Sequence, residues 1–145
     1  MSALRYALVF LGIALGAALA IRGLNLTFTS QVGSSAQLLV PAMIAALIEG
    51  QRHVRARRRK FTLRDIWLFS GWATVLAMAL NVGIGFGAGA LAPEFAKLTI
   101  APLFSAQFNM LLGLYGLGYL LCNRFFAGIG AYNELHAMTR RGEIE

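Results

Sequence analysis

Four polar side chains sit in stretches that are otherwise apolar, and they are the residues from which any chemistry would have to come: Glu49, Asn81, Gln107 and Asn109. Each loses its hydration if it is buried in an apolar environment, so each must find a partner or a task. Glu49 stands about twelve residues into a helix that begins near Gln37, or roughly 18 Å along its axis at ~1.5 Å per residue. A carboxylate at that depth is a candidate for handling a proton or a cation. The favoured reading is an interfacial carboxylate paired with Arg52 or His53, three and four residues on and so on the same helical face. Asn81 and Asn109 fall near the middles of two successive apolar stretches, so an amide–amide contact across antiparallel helices is geometrically possible, as structural glue or as part of a polar path. Catalytic signatures are absent. Cys122 is the single cysteine, and the two histidines, His53 and His136, lie in charged or polar segments, where they cannot serve as a buried haem pair. No HExxH or CxxC spacing occurs, and Ser70-Gly71 lacks the Gly-x-Ser-x-Gly frame of a serine nucleophile. No metal, no cofactor and no enzymatic activity are therefore expected.

The elements that must position these groups follow from hydropathy. The chain has 145 residues, 58% hydrophobic and 13% charged, against roughly 45–50% apolar for an average soluble domain. Four apolar stretches are read as membrane spans, at about 4–22, 36–50, 66–92 and 98–123, followed by a polar tail over 124–145. The second is short, with Pro41 near its start, where the missing N–H costs little. The third opens on a capping-box spacing, Thr62 with Asp65. None shows the period-two alternation of barrel strands. The expectation is an all-α fold, one domain over residues 1–145, forming an integral membrane four-helix bundle. Seven of the thirteen Lys+Arg residues lie between Gln51 and Asp65, and with both termini on that side eleven cations face two, Arg22 and Lys97. Such a bias predicts that the N-terminus, the basic loop between helices 2 and 3 and the C-terminus are all cytoplasmic. Arg5, an apolar run and Ala18-Leu19-Ala20 also imitate a cleavable signal peptide, the less favoured reading.

Small residues recur with helical spacing: Gly12, Gly16 and Ala20 in the first span, and Gly83, Gly85, Gly87 and Gly89 in the third. Missing side chains let helix backbones approach closely, either within the subunit or against another protein's helix. In the fourth span, Gly113, Gly116 and Gly118 thin one side while Phe104, Phe108, Tyr115 and Tyr119 load the rest. Trp67 is expected at the membrane interface, with Trp72 deeper. The basic run, with Arg55, Arg57, Arg58, Arg59 and Lys60, suits topology setting and contact with anionic lipid heads. No aromatic residues interleave with it, so nucleic-acid binding is not expected.

The arrangement VPAMIAALIEGQRHVRARRRKFTLRDIW, within four spans and 145 residues, resembles a family of small bacterial inner-membrane proteins of uncharacterised function. The resemblance implies the bacterial inner (cytoplasmic) membrane as location and nothing about chemistry. Small multidrug transporters need a carboxylate within the first span, and four-span thiol oxidases need cysteine pairs; this chain has neither. The sequence thus points to a non-catalytic accessory or assembly subunit that packs in the bilayer against other membrane helices or against copies of itself. The alternative is a small oligomeric channel or transporter using Glu49 and the intramembrane amides.

Overall fold

The computed structural model describes residues 2–27, 38–88, 102 and 104–143; for 21, 22, 24–27 and 88 it describes the backbone alone. Four helices follow in order: α1 (Ala3–Thr27), α2 (Val40–Arg57), α3 (Leu63–Ala88) and α4 (Ala106–Arg140). No strand occurs among the described residues. Three of the helices, α1, α3 and α4, contain stretches long and apolar enough to cross a membrane.

The second expected span is corrected. α2 starts at Val40 rather than 36, with Pro41 in its first turn, and runs on through the front half of the basic segment to Arg57. From Glu49 onward it carries Arg52, His53, Arg55 and Arg57, which is why it is not among the apolar three. Its interior face is nevertheless the most intimate in the molecule: Pro41, Ala42, Ala45, Ala46, Glu49, Gly50, His53 and Val54 are all buried. Short side chains along one face let its neighbours approach its backbone. α2 packs most extensively against α4, and α3 bridges α4 and α1.

The helix of the fourth span runs on past Asn123-Arg124, the expected membrane surface, and α4 continues unbroken for 35 residues, roughly 50 Å at ~1.5 Å per residue. It begins at Ala106, where the Ser105 hydroxyl accepts from the Phe108 N–H at 3.1 Å, a side-chain N-cap. Asn123 does not break it because its amide is used inside the bundle, and Arg124 lies 4.8 Å over the Trp67 ring. α3 opens as expected, with the Asp65 N–H donating to Thr62 Oγ1 at 3.1 Å.

The inside and the outside of this bundle are made of unusual materials. The core is alanine and aromatic: Tyr6, Phe10, Ala14 and Ala18 of α1 meet Ala42, Ala45 and Ala46 of α2, Phe69, Ala73 and Ala77 of α3, and Tyr119 and Ala127 of α4. The larger aliphatic residues point outward. Leu4, Leu8, Leu15 and Leu19 on α1 are 58–72% exposed, and Met110, Leu114, Leu117, Leu121 and Phe125 form a similar stripe on α4.

Candidate functional site

The antiparallel course of α1 and α2 brings Arg5, in the first turn of α1, beside Glu49, just past the middle of α2. Glu49 is 1% exposed, and the guanidinium grips it in a fork: Arg5 Nη2 donates to Oε2 at 3.0 Å and Arg5 Nε to Oε1. The expected same-helix partners, Arg52 and His53, do not pair with it. Local spacing favoured them, but the tertiary partner offers a planar two-pronged match that a single i,i+3 neighbour lacks.

A second buried carboxylate lies on the same end of the bundle. Glu134 of α4 is 5% exposed. Arg55 holds it with Nη2 on Oε2 at 2.9 Å and Nε on Oε1 at 2.8 Å, and Arg141 adds a bond to Oε1 at 3.1 Å. Sequence reasoning placed Glu134 in a polar tail and missed it. A signal was present: Ala127, Gly130, Ala131, Glu134 and Met138 are small or distinct residues at helical spacing, and all are buried.

Backbone contact between α2 and α4 brings Arg55 within reach of Glu134. A Cβ on Gly50 would stand 2.2 Å from the Ala127 carbonyl oxygen, and one on Gly130 would stand 2.1 Å from the Leu47 carbonyl oxygen. The two glycines are thus reciprocal, each accommodating the other helix's backbone. Gly116 plays a lesser part against the Met78 thioether, at 2.9 Å from a notional Cβ.

The glycines singled out by spacing are elsewhere. Gly12, Gly16, Gly83 and Gly87 are exposed and a Cβ at any of them would meet nothing within 4 Å. None of these four is closely packed against any other described residue of the subunit. Ala20 is also exposed, Gly85 is buried, and Gly89 lies outside the described residues. Spacing does place Gly12, Gly16, Ala20, Gly83 and Gly87 on helix faces, and at these five positions the faces look outward.

The deep polar residues pair differently from expectation too. Asn81 Nδ2 donates to the Tyr119 hydroxyl at 2.9 Å, which in turn donates to the Leu38 carbonyl at 2.8 Å. A separate chain runs from the Tyr6 hydroxyl to Asn123 Oδ1 at 2.7 Å, and from Asn123 Nδ2 to Thr74 Oγ1 at 3.3 Å. Gln107 and Asn109 are exposed, so the Asn81–Asn109 contact is replaced by Asn81–Tyr119. Tyrosine was read as bulk alone, yet its hydroxyl supplies both the donor and the acceptor that a buried amide and a helix-entry carbonyl require. Tyr119→Phe should cost about 1–3 kcal/mol, because it leaves the Asn81 amide and the Leu38 carbonyl buried without a partner. Thermal unfolding in detergent measures this, and an unchanged midpoint would count against the linkage.

His53 completes the charged end. It is 7% exposed, stacks on Phe61 at a 4.0 Å centroid distance, and its Nε2 has no hydrogen-bond partner among the described residues. Burial, and next the charge of Arg57, hold its pKa below the usual histidine range; Arg59 and the amino terminus push the same way, while Asp65 opposes. A histidine that resists protonation only when folded makes the unfolded chain the better proton acceptor below its ordinary pKa of about 6.5. Stability should therefore fall as pH drops from about 6.5 towards 5, and His53→Gln should flatten that slope in melts run across the range.

The basic run is divided by these contacts. Arg55 is committed to Glu134 and Arg59 stands 3.7 Å from Asp65. Arg58 caps α2 in a left-handed conformation (φ 52°), donating its N–H to the Val54 carbonyl at 2.6 Å. Arg57 lines two clefts beside His53, and Lys60 is exposed. Chemically, both buried carboxylates are neutralised by arginine forks, and no cluster of three or more metal-binding side chains occurs among the described residues. Comparisons with protein-family models, with curated proteins and with solved structures find no match.

Proposed function

We propose that the chain is a non-catalytic integral membrane subunit whose outward glycine faces receive other membrane helices, those of a larger complex or of further copies of itself. The carrying observation is that Gly12, Gly16, Gly83 and Gly87 are exposed and unpacked, while the glycines that hold the subunit together are Gly50 and Gly130. Glycine in a helix interior is destabilising by roughly 0.5–1 kcal/mol relative to alanine, so four outward glycines are unhelpful to the isolated bundle and useful to a close-fitting neighbour. Membrane insertion is supported by the apolar lengths of α1, α3 and α4 and by a core of alanines and hydrogen-bonded polar groups beneath an outer layer of leucine, methionine and phenylalanine. The contacts of Arg5 with Glu49 and of Arg55 with Glu134 gather both termini and the basic segment at one end of the bundle. The positive-inside bias makes that end cytoplasmic, and the family resemblance favours the bacterial inner membrane.

Purification in mild detergent, with mass spectrometry of everything retained, tests the reading. The unmutated chain should leave the membrane with a partner or as an oligomer, and Gly16→Leu and Gly87→Leu should release it while its melting midpoint is unchanged, because their Cβ atoms meet nothing in the subunit. A chain that purifies alone before mutation would overturn the reading. For topology, alkaline-phosphatase fusions at Arg58 and after Arg124 should be silent and a fusion at Ser34 active; activity at Arg58 would invert the assignment.

The transport alternative has one observation in its favour, since Glu49 borders a polar cleft of about 80 Å³. Against it, both carboxylate oxygens are already taken by Arg5, and Gln107 and Asn109 lie on the outside.

A further inference from the structure

Two clefts meet at the basic end of the bundle and share the His53 and Arg57 side chains. The smaller, about 80 Å³, is bordered by Arg5, Glu49, Arg52, His53, Ala56 and Arg57. The larger, about 190 Å³, is bordered by His53, Arg57 and Asp65 on one side and by Leu68, Phe69 and Trp72 on the other. The charges are unequal. Arg5 and Glu49 cancel, and Asp65 is faced by Arg59 at 3.7 Å, its Oδ2 without a hydrogen-bond partner among the described residues. Arg52 and Arg57 have no ion-pair partner among the described residues, and His53 Nε2, buried between them and the bundle, has no hydrogen-bond partner. The small cleft therefore carries an excess of two positive charges with an uncommitted imidazole nitrogen at its wall, while the adjoining cleft turns apolar within one helical turn.

We infer that this pair of clefts binds the phosphate group of an anionic phospholipid. The phosphate lies between Arg52, His53 and Arg57, and the first carbons of an acyl chain pass over Leu68 and Trp72. A phosphate needs several convergent donors and a net positive field, and planar guanidinium groups meet its oxygens well. A neutral imidazole whose Nε2 carries the proton donates to the same oxygens. The apolar wall is what separates a lipid phosphate from a free one: inorganic phosphate gains nothing from Leu68, Phe69 and Trp72. The site replaces the diffuse patch expected from Arg55, Arg57, Arg58, Arg59 and Lys60, of which only Arg57 borders the clefts. This inference rests on the membrane reading above, which puts the basic end of the bundle at headgroup level.

Trp72 provides the readout. The full chain carrying Trp67→Phe, with Trp72 as its single tryptophan, is reconstituted into vesicles whose lipid bears bromine near the top of the acyl chain, either phosphatidylglycerol or phosphatidylcholine. Brominated phosphatidylglycerol should quench Trp72 more strongly at equal mole fraction. Each cation near an anionic surface contributes roughly fivefold in affinity, so Arg52→Gln or Arg57→Gln should each reduce the preference by about fivefold. Both arginines are exposed and unpaired, so the melts of these variants should match the parent; should either misfold, the comparison of the two lipids in the parent decides alone. Equal quenching by both lipids would overturn the inference and leave the membrane reading standing. No quenching by either would overturn both. Relief of the phosphatidylglycerol effect by inorganic phosphate at matched concentration would make the soluble ion the occupant and overturn the lipid assignment.

Discussion

Gly130→Ala is expected to unfold or displace the α2–α4 pair, and Gly50→Ala to do the same. One added methyl group would stand 2.1 Å from the Leu47 carbonyl oxygen in the first case and 2.2 Å from that of Ala127 in the second. Neither obstacle is a side chain that can turn away. Relief requires the two helix axes to separate, which loosens the neighbouring alanine contacts and stretches the Arg55 fork on Glu134. Overpacking a core ordinarily costs about 1–3 kcal/mol, and a clash of backbone on backbone belongs at or above the upper end. The same substitution at Gly12 or Gly83, where nothing lies within 4 Å, should be neutral or should stabilise the isolated subunit by up to about 1 kcal/mol. Melting midpoints of the four alanine variants, purified in one detergent, make the comparison. Similar midpoints for all four would remove Gly50 and Gly130 from their central place.

Arg5→Met is the second large effect. It strands Glu49, 1% exposed, as a buried charge with no partner, whereas Glu49→Gln leaves an arginine whose side chain is already 37% exposed and can reach water. Breaking a buried ion pair from the buried side's point of view costs about 3–5 kcal/mol, while replacing both members by apolar groups is often close to neutral. The expected order of stability is therefore parent and Arg5→Met/Glu49→Met highest, Glu49→Gln intermediate, and Arg5→Met lowest. A double-mutant cycle in urea or by heat gives the coupling. Additive effects would mean that the fork contributes nothing. The transport alternative makes a separate demand on the same residue: Glu49→Gln should abolish a proton- or cation-linked flux in proteoliposomes while the fold survives.

Much of this architecture was legible from local signals. Apolar length gave α1 and α3 to within a few residues, and the Thr62–Asp65 cap and Pro41 lie where their backbone chemistry places them. What was not legible depends on residues far apart in sequence. Glu49 was matched to Arg52 and His53 because a helix makes them neighbours, and only the return of α1 makes Arg5 a better one. Glu134 looked solvated because it lies in the polar stretch beyond the membrane surface expected at Asn123-Arg124; it is buried because Asn123 is satisfied from α1 and α3 and Gly130 seats the next turn on α2. Glycine spacing marked periodic faces and left open whether they pack within the subunit or against another helix, since a periodic face does not say which neighbour it serves. Gly50 and Gly130 lie on lines of small buried residues, Ala42, Ala45 and Ala46 on α2 and Ala127 and Ala131 on α4, whose period is carried by alanine rather than by glycine.

The central claim is that the outward glycine faces of α1 and α3 meet protein. Photo-crosslinking in native membranes asks this directly, with a benzophenone side chain introduced at Leu15, beside Gly16, or at Phe86, beside Gly87; both positions are exposed. The account predicts protein adducts heavier than the 15.7 kDa chain from both positions, and far weaker adducts from Leu114 on the outer stripe of α4. Adducts to lipid alone at Leu15 and Phe86 would contradict it.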